Sequence, residues 1–167
     1  MKFKSQLVSA QVSTPLGGML LAASPLGLAG AWFQGQRHAP DPSDWTHLPS
    51  ASGHAVLATA QKQLHEYFSG ERQLFEVPLD LGHGTPFQQQ VWRALLAIPP
   101  GHTTTYGGLA TQLQRPTASR AVGGAVGRNP ISILVPCHRV LGTNGAMTGY
   151  AGGLDKKLAL LRTEGLL

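Results

Sequence analysis

Cys137 is the only cysteine in a chain of 167 residues, and it stands in the stretch Ile133-Leu134-Val135-Pro136-Cys137-His138-Arg139-Val140. An apolar run carries the thiol inward, a proline stops the run, and a titratable imidazole and a fixed cation follow at once. A thiol with an ordinary pKa of about 8.5 is mostly protonated at neutral pH, so a nucleophilic cysteine needs a base, positive charge or a helix N-terminus beside it. His138 and Arg139 can supply the first two. Neighbouring side chains on one element point in different directions, so His138 is expected to reach the sulfur through a bridging water. The competing reading is a buried, inert cysteine, the commoner fate of a lone thiol in apolar surroundings.

The elements around this stretch decide between the two readings. The net charge of +5 is unevenly spread: residues 1–84 carry five Lys/Arg against six Asp/Glu, and residues 85–167 carry eight against two. The basic half also holds the cysteine. Such a half points to an anionic partner, nucleic acid first, with a merely basic surface as the alternative. One unpaired thiol suits a reducing compartment, so a cytoplasmic protein is expected. Lys2 and Lys4 precede an uncharged span that includes the apolar Leu16 to Phe33. Pro15, Gly17, Gly18, Pro25 and Gly27 break that span, which therefore reads as soluble strands and not as a secretory signal or membrane anchor.

Residues 4–12 alternate loosely, and Met19 to Ala23 and Leu28 to Phe33 are short apolar runs joined by the turn Ser24-Pro25-Leu26-Gly27, which predicts a small antiparallel sheet. Gln34 to Gly53 reads as a loop. From His54, the residues Val56, Leu57, Ala60, Leu64, Tyr67 and Phe68 share a helical face that ends at Ser69-Gly70. Leu74 to Leu81 reads as a further strand, and Gly82-His83-Gly84 as a hinge. The second half opens on Thr85 as N-cap, Pro86 at the first helical position and Gln88 three residues after the cap. Thr105 can cap a short helix, Gln114-Arg115-Pro116 is a turn, and Thr117 or Ser119 opens another helix over Arg120 to Val126. Two short helices joined by a tight turn in a basic region form a helix-turn-helix pattern.

The second of those helices is nearly bare: Ala121, Gly123, Gly124, Ala125 and Gly127 leave little side-chain bulk between Arg120 and Arg128. Several glycines in one helix suggest that something approaches its backbone closely, either another helix or a nucleic-acid groove with Arg120 pushed into the base stack. Beyond the cysteine, Gly142-Thr143-Asn144-Gly145 is a turn suited to a two-stranded wing. Thr148 to Gly153 is a Gly-rich loop without the lysine spacing of a phosphate cradle. In the last helix Leu154, Leu158 and Leu161 form the expected inward face. Glu164, one turn on, reads as a solvated last-turn carboxylate that opposes the helix dipole, though it can reach back to a cation or imidazole.

Pro136-Cys137-His138-Arg139-Val140 resembles the active-site motif of the O6-alkylguanine-DNA alkyltransferases. Phe87 to Leu95, Thr105-Tyr106-Gly107, Ser119 to Gly123, Asn129-Pro130 and Gly149 to Leu154 resemble family segments in the same order and at similar spacing. The likeness covers residues 85–167, whereas residues 1–84 match only in outline. The fold it implies is an α/β N-terminal domain over 1–84, a small antiparallel sheet plus helix of ribonuclease-H-like type. A mostly α domain over 85–167 follows, with a winged helix-turn-helix. The activity it implies is single-turnover, irreversible transfer of an alkyl group from guanine O6, less readily thymine O4, in flipped-out nucleotides to Cys137.

By the same resemblance His138 is the water-mediated base and Glu164 the carboxylate that orients it. Asn129 ties the active-site turn to the helix-turn-helix, Arg120 fills the vacated base position, and Tyr106 presses on the backbone phosphate. Tyr150 hydrogen-bonds guanine N3, and the backbone at Val140 and Ala151 meets the exocyclic amine and O6. The implied partner is alkylated double-stranded DNA, met through its minor groove by a monomer, with no membrane and no cofactor. Ser132 and Ala151 stand where some members carry proline and serine, which bears on the size of alkyl group accepted. No cysteine in the first half and no compact pattern among seven histidines leads to an expectation of no metal, and the extra phosphotriester domain of some relatives is not expected either. Outside this class, a non-catalytic lesion sensor would carry tryptophan at the cysteine position. A cysteine hydrolase would need its base facing the thiol.

Overall fold

The computed structural model describes residues 3 and 6–167. Lys2, Lys4 and the start of the alternating run lie outside the described residues. The first half is built on three antiparallel strands, β1 (Val8–Thr14), β2 (Gly17–Ser24) and β3 (Gly27–Phe33), with register pairs such as Ala10 with Leu21 and Leu21 with Ala31. Inside the stretch expected to be loop, Thr46–His47 forms a two-residue strand, β4, that pairs parallel with β1, so the sheet order is β3-β2-β1-β4. Helix α1 (Ala55–Phe68) covers one face, burying Leu57, Ala60, Leu64 and Tyr67, and Gly70 follows at φ 82°. The other face holds a smaller cluster of Leu7, Ala22, Ala29 and Trp32, with Phe3 and Trp45 against it.

Every residue of β3 is buried. Packed faces explain half of that, and a covered edge explains the rest. Leu28 donates its N–H to Pro78 O at 2.8 Å and accepts from Asp80 N at 2.8 Å, while Ala31 donates to Pro130 O at 2.9 Å and accepts from Ser132 N at 2.9 Å. Unpaired edge groups must find partners, and here two irregular segments supply them. The expected strand at Leu74 to Leu81 is accordingly corrected: this segment contributes one bridge, Leu28 to Leu79, and otherwise runs as coil. The segment expected as a hinge, Gly82-His83-Gly84, is tethered at its start. Asp80 ties it down, accepting from Ser24 Oγ at 2.6 Å and Gly82 N at 3.0 Å and pairing with His83 Nε2 at 2.9 Å. A Cβ on Gly84 would lie 2.3 Å from Trp92 Cζ3, so the chain passes hard against that indole.

In the second half α2 (Pro86–Leu96) starts with the capping box that Thr85 and Gln88 predict, both reciprocal bonds being present. Helix α3 (Tyr106–Gln112) is capped by Thr105, whose hydroxyl accepts from Gly108 N at 3.0 Å. Helix α4 (Ser119–Val126) starts after Ala118 without a side-chain cap, so neither Thr117 nor Ser119 acts as one. Val122, Ala125 and Val126 turn inward, and Trp92 of α2 donates its indole N–H to Ala125 O at 2.9 Å. Beside this helix pair Thr104–Thr105 (β5) and Val140–Leu141 (β6) pair in parallel. The Asn144-Gly145 turn forms, with both residues at positive φ, but the chain after it does not return as a strand against β6. The last helix, α5 (Leu154–Thr163), buries Lys157, Leu160 and Leu161. Leu154 is 47% exposed, so the predicted inward face is rotated.

Candidate active site

The segment that presents the thiol is a chain of tight turns held from both sides. Asn129 Oδ1 accepts from Ile131 N at 3.0 Å, a side-chain-to-backbone turn that the short amide of asparagine favours. Ile131 sits on the edge of β3 through its neighbours Pro130 and Ser132. Ile133 then takes φ 74°, with Leu134 N bonded to Ser132 O at 3.0 Å. A β-branched residue in the left-handed region is a genuine strain, here imposed on a side chain that is 1% exposed and fully packed. Cys137 N bonds to Val135 O at 2.8 Å across Pro136, and Cys137–Arg139 form a single 3-10 turn. The proline and two neighbouring turns leave no room for a regular element, which is why the thiol ends on a bend instead of a strand.

The thiol is 5% exposed. Burial pushes its pKa up to about 11, against the opposing pull of a hydrogen bond from Asn129 and the positive charge of Lys157. Asn129 Nδ2 lies 3.0 Å from Sγ and also donates to Val135 O at 2.8 Å. His138 is fully buried, and desolvation lowers its pKa although Glu164 favours its charged form. Its Nε2 is 2.7 Å from Glu164 Oε1, and its Nδ1 is buried without a hydrogen-bond partner among the described residues. An ionised carboxylate only accepts, so Nε2 carries the proton and Nδ1 is left as a free acceptor in the neutral ring.

Glu164 is not a solvated last-turn carboxylate. Its side chain is 4% exposed, and Arg139 grips it with Nε on Oε2 at 2.7 Å and Nη2 on Oε1 at 2.9 Å. Burial opposes its charge, but the hydrogen bonds from His138 and Arg139 outweigh this and bring its pKa down to about 2. Helix position alone misplaces this residue, whereas the resemblance implies the contact with His138 that is seen here. The carboxylate is turned away from water by a cation two residues beyond the cysteine.

Cys137, Tyr106, Tyr150 and Ala151 line one cavity of about 220 Å³, whose far wall is the bare face of α4 at Gly123, Gly124 and Gly127 and whose rim carries Arg37 and Arg128. The Tyr150 hydroxyl is buried there and makes no well-formed hydrogen bond, with Ser132 beside it; burial and the nearby thiol raise its pKa. Tyr106 donates to Gly149 O at 3.2 Å. Arg120 lies outside this cavity, on an adjoining open groove with Ser119, Tyr106, Thr143 and Thr148. Val140 is buried beneath, its carbonyl accepting from Lys157 Nζ at 2.6 Å, and does not line the cavity. Asn129, His138 and Glu164 likewise form the layer behind the thiol.

Two residues here escaped the sequence reading as functional groups. Lys157 is fully buried with its ammonium on the carbonyls of Val140, Thr148 and Gly149, and burial lowers its pKa to about 8 while the thiol favours its charge. Its position between leucines of α5, one turn before Leu161, was the available signal. Tyr67 was read only as part of the packed face of α1, yet its hydroxyl donates to Glu164 Oε1 at 2.9 Å. Nothing in the sequence links residues that far apart. No group of three or more His, Cys, Asp or Glu among the described residues is placed to hold a metal ion. No described helix is long and apolar enough to cross a membrane.

Comparison with known proteins places this geometry. Residues 86–166 match the family model described as 6-O-methylguanine DNA methyltransferase, DNA binding domain, and residues 7–81 match the one described as 6-O-methylguanine DNA methyltransferase, ribonuclease-like domain. A methylated-DNA–protein-cysteine methyltransferase of Mycobacterium tuberculosis is 47% identical over 92% of this chain and 89% of its own length. One from Methanosarcina acetivorans is 46% identical over 91% of this chain and 94% of its own. The crystal structure of Mycobacterium tuberculosis OGT in complex with DNA is similar at a TM-score of 0.85, with 44% identity over 94% of this chain and 92% of that one. An N-terminal sheet domain and a helical DNA-binding domain that carries the buried thiol together make one conclusion: the chain belongs to the 6-O-methylguanine DNA methyltransferase family.

Proposed function

We propose that Cys137 Sγ is the atom on which this family's reaction ends, the protein repairing DNA by reversing O6-alkylguanine directly and taking the alkyl group onto its own sulfur. The observation that carries the reading is a thiol lining a cavity large enough for a base, backed by an imidazole whose unpaired Nδ1 is the acceptor in the ring. A water between Sγ and Nδ1 passes the thiol proton to His138, and Glu164 stabilises the imidazolium that forms. The thiolate attacks the alkyl carbon, the S–C bond forms as the C–O bond breaks, and the electron pair goes to the guanine ring. Tyr150, with its hydroxyl buried and poorly bonded, donates to guanine N3 and stabilises that leaving group. Asn129 supports the thiolate from the other side. The thioether that forms is a stable end product with no good leaving group, so each molecule acts once; thymine O4 is the lesser substrate.

The target alkyl group inside a duplex is out of reach of this thiol, so the nucleotide flips out at a cost of a few kcal/mol, less for a weakly paired base. Arg120, exposed on the groove beside the cavity, fills the vacated place from the minor-groove side, and Tyr106, shared by groove and cavity, presses on the phosphate. The bare wall of α4 lets backbone and base approach closely. Helices α3 and α4 act as a helix-turn-helix, with the Asn144-Gly145 turn beside them in the place of a wing. Residues 85–167 form the DNA-binding and alkyl-accepting domain, and residues 1–84 a ribonuclease-H-like domain that carries it. Ala151 presents backbone to the base, and Val140, beneath the cavity, acts through its carbonyl and Lys157. The protein works as a cytoplasmic monomer without cofactor or metal.

The test is incubation with a duplex that carries labelled O6-methylguanine. One equivalent of label is expected on protein, and none on Cys137→Ala. Turnover beyond one equivalent, or tight lesion binding with no label, which is the sensor reading, overturns the proposal.

A further inference from the structure

Glu164 receives more donors than a relay carboxylate needs. Its Oε1 accepts from His138 Nε2 at 2.7 Å, Arg139 Nη2 at 2.9 Å and the Tyr67 hydroxyl at 2.9 Å, while Oε2 takes Arg139 Nε at 2.7 Å. His138 and Arg139 belong to the turn that presents the thiol. Tyr67 does not: it lies 97 residues from Glu164 in the chain, near the end of α1 in the sheet-bearing half. Its ring is 2% exposed and is seated by Phe68 (5.2 Å between centroids, 77° between planes) and Phe75 (5.5 Å, 38°). The hydroxyl is therefore not needed to place the ring, and it points at the one oxygen that also receives the imidazole. A small cleft that shares no lining residue with the cavity at Cys137 opens here, bounded by Tyr67, Arg72, Thr163 and Glu164.

We infer that Tyr67 is a positioning residue for the proton relay, its hydroxyl fixing Glu164 Oε1 toward His138 and drawing off part of the carboxylate's charge. Helix α1 thereby sets how firmly the imidazole holds a proton. The purpose of this device rests on the alkyl-acceptor reading above; its geometry does not. A hydrogen bond to a carboxylate spreads its charge without adding any. With the hydroxyl gone, Oε1 turns more of its charge on Nε2–H, the imidazolium is better stabilised, and the pKa of His138 rises. The other charged or titratable groups around the relay are Cys137 and Arg139 on its own turn, Lys157 on α5 and Arg72 at the cleft. Burial brings Lys157 down to about 8 and pushes Cys137 up to about 11, while Glu164 is held down at about 2, and a residue-resolved imidazole signal separates His138 from the six other histidines.

Three forms of the full chain test this: the unaltered protein, Tyr67→Phe, and the protein with 3-fluorotyrosine in place of Tyr67, whose hydroxyl is a stronger donor. Imidazole 15N shifts give the His138 pKa, and the rate of Cys137 alkylation by iodoacetamide against pH gives the reactivity. Tyr67→Phe is expected to raise the His138 pKa by about half a unit, and the fluorinated ring to lower it, with the acid limb of the alkylation profile moving the same way in each case. Identical His138 pKa values in all three, or shifts of one sign in both variants, overturn the inference, whatever happens to the melting temperature. If the Phe variant fails to fold, the fluorinated protein carries the test alone. Neither measurement uses DNA or an alkylated base, so a negative result here is separable from failure of the labelled-duplex experiment.

Discussion

Arg139 and Glu164 form an ion pair almost closed to water, at 6% and 4% side-chain exposure, so neither can lose its partner cheaply. Glu164→Gln leaves the guanidinium buried with a neutral partner and is expected to lower stability by about 3 kcal/mol in denaturant unfolding. The same residue sets an acid limb. Its carboxyl is held near 2 in the folded protein against an ordinary value of 4.5, so the unfolded chain takes up the proton first as pH falls. The stability it contributes is complete above about pH 4.5 and is lost between there and about pH 2, a change on the order of 3 kcal/mol. Unfolding curves across that range are expected to steepen in the unaltered protein and to be much flatter in Glu164→Gln. An equal slope in both would place the acid sensitivity elsewhere.

Among the elements, the unpaired edge of β3 matters most to the site, because it holds Pro130 and Ser132 by backbone bonds on either side of Ile131. Ile133 keeps its positive φ only because that anchor and the surrounding core leave it no other course. A second constraint joins the two halves at Gly84. There an added Cβ meets the Trp92 ring at 2.3 Å, and the ring cannot give way easily while its N–H is bonded to Ala125 O in α4. Gly84→Ala is therefore expected to destabilise the protein by about 2 kcal/mol or more, read as a lower denaturant midpoint. A neutral result would mean that the segment between Asp80 and Thr85 moves aside, as the hinge reading has it.

At the scale of the molecule, the charge that the sequence places in residues 85–167 is not all available to DNA. Of its eight Lys/Arg, Arg139 and Lys157 are buried; six remain, and Arg37 on the cavity rim adds a seventh. Each phosphate neutralised contributes about 0.9 to the slope of log K against log salt, so duplex binding is expected to show a slope no steeper than about −6. Arg120→Ala should reduce that slope by less than about 1 while slowing repair in duplex, and should leave reaction with the free alkylated base unchanged. Equal slowing on both substrates would count against the finger role. Filter binding across salt and single-turnover repair kinetics supply the two readings.

By itself the sequence determined whatever depends on neighbours along the chain. The three strands and their turns, α1 with its glycine stop, the capping box of α2 and the thiol-imidazole-guanidinium run were legible in local pattern, and the order of the segments named the family. Tertiary structure decided what depends on residues distant in sequence meeting in space. By helix position alone Glu164 reads as a solvated helix end until Arg139 and His138 enclose it, and the three carbonyls that surround the Lys157 ammonium come from outside its own helix. Leu74 to Leu81 has the composition of a strand, yet β3 takes only one bridge from it, because the edge is shared with the segment that carries the active site. A buried polar group is settled by its partners, and a sequence lists residues without saying which of them will become partners.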